Sequence, residues 1–129
     1  MSNKARSLGN AGEAGIVRRA IAAGLKAVRQ PMSGMLKDYP ADVVIEAGER
    51  RVLGESKVRS LHIHPSGKRT WTIDFDWLRK VMKEAQQPDS EGRAYHHGAL
   101  FVRPKGSSDQ FVLVDEAVYF ELLRLATRP

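Results

Sequence analysis

The fold is decided by residues 42–57, which read DVVIEAGERRVLGESK. Two runs rich in Val, Ile and Leu favour β-strands, and a short glycine-containing segment separates them. We predict an antiparallel hairpin with its turn within 47–50. Whether the turn uses two or all four of those residues, Glu46 lies opposite Arg51.

The same register brings acidic groups together. Asp42 lies directly opposite Glu55, and opposed side chains of an antiparallel pair share a face, with Cβ atoms about 4.5–5.5 Å apart. Lys57, two positions beyond Glu55, is on that face as well. Because opposed like charges destabilise a sheet, we expect a neutralising hard cation such as Mg²⁺, which prefers carboxylate oxygens. The alternative is a solvent-facing pair of Glu55 and Lys57 with no metal.

Hydrophobic periodicity predicts the other elements. Apolar residues at helical spacing indicate a first helix over 11–23, with a cap near Gly9-Asn10, a second beginning at Asp74 and a third near Asp115. The expected strands are 42–46, 51–58, a third over either 61–64 or 70–73, 99–104 and 110–114, and 25–29 could form a further short strand. The order α-β-β-β-α-β-β-α indicates an α/β protein with a mixed central sheet flanked by helices.

Length and composition narrow the class of protein. The 129 residues, 42% hydrophobic and 28% charged, predict a single folded domain over 1–129. No apolar run is long enough for a membrane span or a signal peptide, so we expect a cytoplasmic protein without a membrane partner. The absence of cysteine excludes disulfides, thiolate metal sites and a cysteine nucleophile.

The positive charge is concentrated at one end of the sequence. The net charge is +6, and residues 1–37 hold seven basic side chains against one acidic. A basic segment beside a neutral body is typical of a polyanion-binding protein, with residues 1–9 as a basic N-terminal arm. A solvated surface with extra Lys and Arg is the alternative.

Several segments together resemble the PD-(D/E)XK nuclease superfamily. They are Glu13 in a first helix, AVRQPMSG at 27–34, PADVV at 40–44 and GESK at 54–57. Within that superfamily the chain is most similar to archaeal-type and phage-type Holliday junction resolvases. The resemblance implies a restriction-endonuclease-like fold, a homodimer, and cutting of four-way DNA junctions with Mg²⁺, for which Mn²⁺ substitutes. One departure is Ala41, which separates Pro40 from Asp42 where the motif has them adjacent.

The resemblance and the charge pattern assign roles to individual residues. The implied catalytic residues are Glu13, Asp42, Glu55, Lys57 and Ser33, and the implied metal ligands are Glu13, Asp42, Glu55 and Ser56. DNA contacts are expected at Lys4, Arg6, Arg29, Lys37, Arg103 and Lys105. Lys57 would hold the attacking water or offset charge on the phosphate.

Two other functions remain open. One is a different nuclease of the same superfamily, a nickase or repair enzyme that acts on duplex or flap DNA. The other is a DNA-binding module without catalytic activity.

We expect His62, His64, His96 and His97 to be surface or DNA-facing rather than zinc ligands, because no third ligand has a recognisable spacing. We expect Trp71, Phe75 and Trp77 to pack in the core or at a dimer interface.

Overall fold

The computed structural model describes residues 3–30 and 43–128, with side chains from residue 12 onward. Its helices are α1 (Asn3–Ala22), α2 (Phe75–Glu84) and α3 (Glu116–Ala126). Its strands are β1 (Lys26–Arg29), β2 (Val43–Ala47), β3 (Arg50–Arg59), β4 (His62–Ile63), β5 (Arg69–Thr70), β6 (His97–Pro104) and β7 (Phe111–Leu113). The predicted order is confirmed for the helices and the five strands of the main sheet, and β4 and β5 are two additional short strands before α2.

Five strands form one mixed sheet in the order β1-β2-β3-β6-β7. Strand β3 pairs antiparallel with β2 and parallel with β6, while β1 and β7 add antiparallel edges. The mixed central sheet predicted from the sequence is therefore present. The expected third strand, over 61–64 or 70–73, is not part of this sheet. Strand β4 lies within 61–64, β5 overlaps 70–73 only at Thr70, and the two pair with each other in a separate hairpin.

The β2–β3 hairpin has the predicted register. Ala47 pairs with Arg50 and Glu46 with Arg51, so the turn takes two residues. Its first residue, Gly48, has φ +60°, a left-handed conformation that glycine adopts without steric cost. The described ladder begins with Val43 opposite Gly54. Asp42, the predicted partner of Glu55, lies outside the described residues.

Each face of the sheet carries its own core. The core under α1 contains the buried residues Ile16, Ala20, Val43 and Ile45. The core under α2 contains the buried residues Val44, Leu53, Val81, Ala85, Tyr95, Leu100 and Val102. Because successive side chains of a strand point to opposite faces, neighbouring residues of β2 and β3 belong to different cores.

The first helix begins earlier than predicted. It starts at Asn3 and continues through the expected cap at Gly9-Asn10, so the backbone of the predicted N-terminal arm is helical from residue 3. Ala5, Arg6 and Leu8 are strong helix formers, and they offset the cost of about 1 kcal/mol that an internal glycine brings. Within the described chain, no helix combines the length and the apolar character needed to cross a bilayer.

The starts of the other two helices agree with the sequence. Asp74 caps α2 by accepting a hydrogen bond from the backbone N–H of Asp76 at 2.9 Å. Asp115 caps α3 by accepting one from Ala117 at 2.9 Å. Such caps satisfy backbone donors that have no partner inside the helix.

Helix α2 lies very close to β6 at Gly98. A Cβ atom at this position would lie 2.5 Å from the carbonyl oxygen of Val81 and 2.8 Å from its carbonyl carbon. Both are backbone atoms, so a side chain here requires the helix to move away from the sheet. Because interiors are close-packed, such a shift disturbs the whole α2 core.

We predict that Gly98→Ala lowers the free energy of unfolding by about 3 kcal/mol, the upper end of the usual overpacking cost. Gly15→Ala is the control, because in α1 the added Cβ meets only the flexible side chains of Arg18 and Arg19. Alanine also favours a helix over glycine by up to about 1 kcal/mol, so the control should be neutral or stabilising. Urea unfolding measures both, and equal stabilities would contradict the close approach.

His97 lies at the start of β6 beside two charged residues. Its Nδ1 is 3.1 Å from an Arg50 Nη2, and both terminal nitrogens of Arg50 donate to the Glu121 carboxylate at 3.1 Å. Burial, and then the positive charge of Arg50, lowers the pKa of His97 to about 4. At neutral pH the ring is therefore uncharged, and its Nδ1 can accept from Arg50.

This lowered pKa predicts a pH dependence of stability. Because the pKa of His97 is about 4 in the folded protein against an ordinary 6.5, protonation favours the unfolded chain. The stabilising contribution is complete above pH 6.5 and decreases as the pH falls towards 4. In His97→Gln, the free energy of unfolding should fall less steeply over that interval than in the unchanged protein. Parallel curves would show that His97 does not titrate in this way.

Candidate active site

Glu55 is a buried carboxylate in β3. It is 5% exposed. Leu53, two residues earlier, belongs to the core under α2, so strand alternation points Glu55 and Lys57 to that same side of the sheet. A buried charge is costly unless other groups pair with it.

Two lysines approach the same oxygen of this carboxylate. Lys57 Nζ lies 3.5 Å and Lys80 Nζ lies 3.6 Å from Glu55 Oε1. Lys80 comes from α2 and also lies 3.7 Å from an oxygen of Glu84. Glu55 Oε2 is buried and accepts no hydrogen bond from the described residues. The carboxylate thus has an oxygen that a further cation or donor can use.

Trp77 of α2 lies beside two cations of β3. The Lys57 ammonium lies 5.3 Å and the Arg59 guanidinium 4.8 Å from the centre of its ring. Cations at such distances are attracted to an indole ring. Trp71 and Trp77 both pack against the core under α2, as expected, whereas Phe75 is 66% exposed.

Glu13 approaches the sheet from the other side. It is 9% exposed in α1, and its Oε2 accepts hydrogen bonds from Arg29 Nε at 3.0 Å and Arg29 Nη2 at 2.8 Å. Since α1 and α2 cover opposite faces, Glu13 and Glu55 belong to different layers.

The remaining predicted catalytic and metal-binding residues have different outcomes. Ser56 points to the α1 side, since a Cβ at Gly12 would lie 2.7 Å from its hydroxyl oxygen. Its hydroxyl is therefore across the sheet from Glu55, and a ligand role would fall to its main chain. Ser33 and Asp42 lie outside the described residues. Within 3–30 and 43–128, no group of three His, Cys, Asp or Glu residues is arranged to hold a metal ion.

The predicted DNA-binding residues do not form one described cluster. Arg29 is engaged by Glu13, although its side chain is 43% exposed. Arg103 lines a groove of about 290 Å³ on the α1 side, together with Arg19. Burial, and then the positive charges of Arg103 and Arg18, lowers the pKa of Arg19. Lys105 is exposed just after β6.

Three further DNA-binding candidates cannot be placed by their side chains. Lys4 and Arg6 belong to the backbone of α1, but their side chains are outside the described part of the chain. Lys37 lies outside it altogether.

The sequence reasoning missed Lys80. Trp77, Lys80 and Glu84 follow one another at helical spacing on α2, which is a sequence signal for a shared face. That spacing does not tell which strand the face meets. The contact with Glu55 depends on the packing of α2 against β3 and β6.

No protein-family model matches this sequence, and neither does any curated protein. Among solved structures, the chain is similar to Hjc from Archaeoglobus fulgidus, a Holliday junction resolvase from an archaeal hyperthermophile. The TM-score is 0.50 at 16% sequence identity, with 92% of this chain and 99% of that chain covered. The two chains share a fold. The predicted fold class is confirmed, and the superfamily assignment stays a prediction.

Proposed function

We propose that this protein is a Mg²⁺-dependent, structure-selective DNA endonuclease that resolves four-way junctions by paired symmetric nicks. The observation that carries the proposal is Glu55, a buried carboxylate beside Lys57 with one oxygen left without a described partner. The fold shared with a Holliday junction resolvase supports it. Burial of a functional charge is common at sites that perform chemistry.

Glu55 fits the requirement of a hard cation. Mg²⁺ takes carboxylate oxygens, and Glu55 Oε2 is such an oxygen, buried and without a described partner. Asp42 directly precedes Val43, which pairs with the residue next to Glu55, so we propose Asp42 as the second carboxylate. The main chain of Ser56 completes the proposed ligand set, and Mn²⁺ would substitute. The predicted ligand Glu13 is left out of this set, because α1 carries it on the other face of the sheet, where it accepts hydrogen bonds from Arg29. When bound, the ion would lower the pKa of a water and offset charge on the leaving oxygen.

The other residues of the proposed site orient groups and offset charge. Lys57, held between Glu55 and Trp77, would stabilise negative charge that develops on the phosphate. Lys80 neutralises Glu55 and competes with a cation for Oε1. Arg29 remains a proposed DNA contact, because its side chain is 43% exposed while its two hydrogen bonds to Glu13 hold it in place. Ser33 is proposed to assist near the scissile phosphate.

The proposed reaction can be tested with Glu55→Gln, which keeps the shape of the side chain and removes its charge. We expect cleavage of a synthetic four-way junction in Mg²⁺ to fall by about a hundredfold or more. Junction binding should persist or improve, because one negative charge no longer repels phosphate. Glu49→Gln in the exposed β2–β3 turn makes the same chemical change and should leave cleavage unchanged.

The DNA structures that the protein cuts distinguish this proposal from the alternatives. Paired symmetric nicks confined to four-way junctions support the resolvase. Cutting of flaps or linear duplex instead would indicate another nuclease. If the unchanged protein binds DNA but does not cut it in Mg²⁺ or Mn²⁺, the protein is a binding module and the proposal is wrong.

Two symmetric nicks need two sites at a fixed separation, which a two-fold homodimer supplies. Helix α3 offers a surface for it, because its residues include no buried side chain and Tyr119, Phe120 and Leu123 are 47–58% exposed. The charges of α3 are self-complementary. In an antiparallel pair of α3 helices, Glu116 in the first turn of one helix lies at the same end as Arg124 in the last turn of the other.

We predict that the double variant Phe120→Glu/Leu123→Glu is monomeric, because four carboxylates would be buried across the two-fold axis. The matched control is Ile21→Glu, since Ile21 is also an exposed apolar residue, at 56%, but lies on α1. Sedimentation velocity at micromolar concentration measures the oligomeric state. A dimer that persists in the double variant would place the interface elsewhere, and a monomeric parent protein would remove the dimer from the proposal.

A further inference from the structure

The β4–β5 hairpin stands apart from the main sheet. Its two strands pair with each other and with none of the five sheet strands. Residues 61–70 include no buried side chain, and Ile63 is 67% exposed. A hairpin with so little burial adds little to the core, and exposed elements held on a rigid scaffold often carry binding functions.

The hairpin itself carries two basic side chains and no acidic one. Residues 56–73 contain four basic side chains and no Asp or Glu. Two of the basic residues, Lys68 and Arg69, are exposed in the hairpin itself, and Lys57 and Arg59 lie in β3 just before it. An acid-free cationic segment of this kind attracts the phosphates of a nucleic acid.

The tip of the hairpin has a defined shape. The backbone N–H of His64 donates to the carbonyl of Lys68 at 2.8 Å, and that of Gly67 donates to the carbonyl of His64 at 2.8 Å. Gly67 has φ +88°, which closes the turn without steric cost. The His64 ring also lies 3.0 Å from the hydroxyl of Thr70. The cations of the tip are therefore held on an ordered turn.

Both ends of the hairpin are attached to the candidate active site. The indole N–H of Trp71, after β5, donates to the carbonyl of Arg59, the last residue of β3, at 3.2 Å. The Arg59 guanidinium lies over the ring of Trp77, beside which Lys57 also lies. Lys57 and Arg59 are two residues apart, a rise of about 7 Å. Trp71 and Trp77 both pack in the layer to which Glu55 points.

We propose that the β4–β5 hairpin is a second DNA contact, in which Lys68 and Arg69 bind the phosphates of one duplex arm while the scissile strand lies at Glu55 and Lys57. This inference rests on the proposed function, because it takes DNA as the partner. The hairpin adds affinity and fixes the direction of the arm. Phosphate contacts of this kind position a protein on DNA without reading base sequence.

The test is the double variant Lys68→Ala/Arg69→Ala, with binding to a synthetic four-way junction followed by fluorescence anisotropy in EDTA, where no cleavage occurs. We expect about tenfold weaker binding than in the unchanged protein at moderate salt, and a slope of log Kd against log salt that is smaller by roughly 2, one unit for each lost phosphate contact. The control Lys83→Ala/Arg128→Ala removes the same charge from exposed positions on α2 and after α3. Its loss of affinity and its decrease in salt slope should each be less than half of those of the hairpin variant.

The outcomes separate this inference from the proposed function. If the hairpin variant binds as tightly as the control and with the same salt slope, the hairpin inference is wrong even where the unchanged protein resolves junctions. If the unchanged protein never cuts but the hairpin variant shows the expected loss of binding, the nuclease proposal fails and the hairpin contact stands. A protein that binds no junction at all overturns both.

Discussion

Strand β3 is packed on both faces, and its strict alternation controls where the charged groups of the candidate site lie. Leu53, Glu55 and Lys57 point to the α2 layer, and Gly54 and Ser56 point to the α1 layer. A slip of one residue would exchange the two sets. The α1 side leaves no room for this, because a Cβ at Gly54 would lie 2.8 Å from both Phe101 and Val43 side-chain atoms. Close packing on one face thus determines the chemistry available on the other.

The burial of Glu55 has a cost in desolvation free energy. Removing a carboxylate from water costs several kcal/mol in a protein interior unless partners compensate. Lys57 and Lys80 compensate through one oxygen, while the other has no described partner. An apolar residue of similar volume is often as stable or more stable at such a position. The two lysines offset the cost of burying this charge, and such a buried ion pair is weak evidence for a net gain in stability.

The likeness to the Archaeoglobus resolvase at 16% identity illustrates what maintains this fold. Cores tolerate extensive exchange of apolar residues as long as volume and pattern are kept. A shared fold is therefore reproducible with few identical residues. A site tolerates much less exchange, because its function depends on particular groups at particular distances.

By itself, the sequence determined the features that depend on neighbours along the chain. The β2–β3 register, the caps at Asp74 and Asp115, and the order of the elements all follow from turn chemistry, capping and short-range periodicity. It also indicated the shared face of Glu55 and Lys57, because strand alternation is a local property.

Only the tertiary structure decided the features that depend on distant segments. It separated β4 and β5 from the main sheet and brought Lys80 to Glu55. It also paired Glu13 with Arg29 on the side of the sheet opposite Glu55. The spacing of residues along a helix defines a face, but the packing of whole layers decides what that face meets, and that packing is a sum over contacts far apart in the chain.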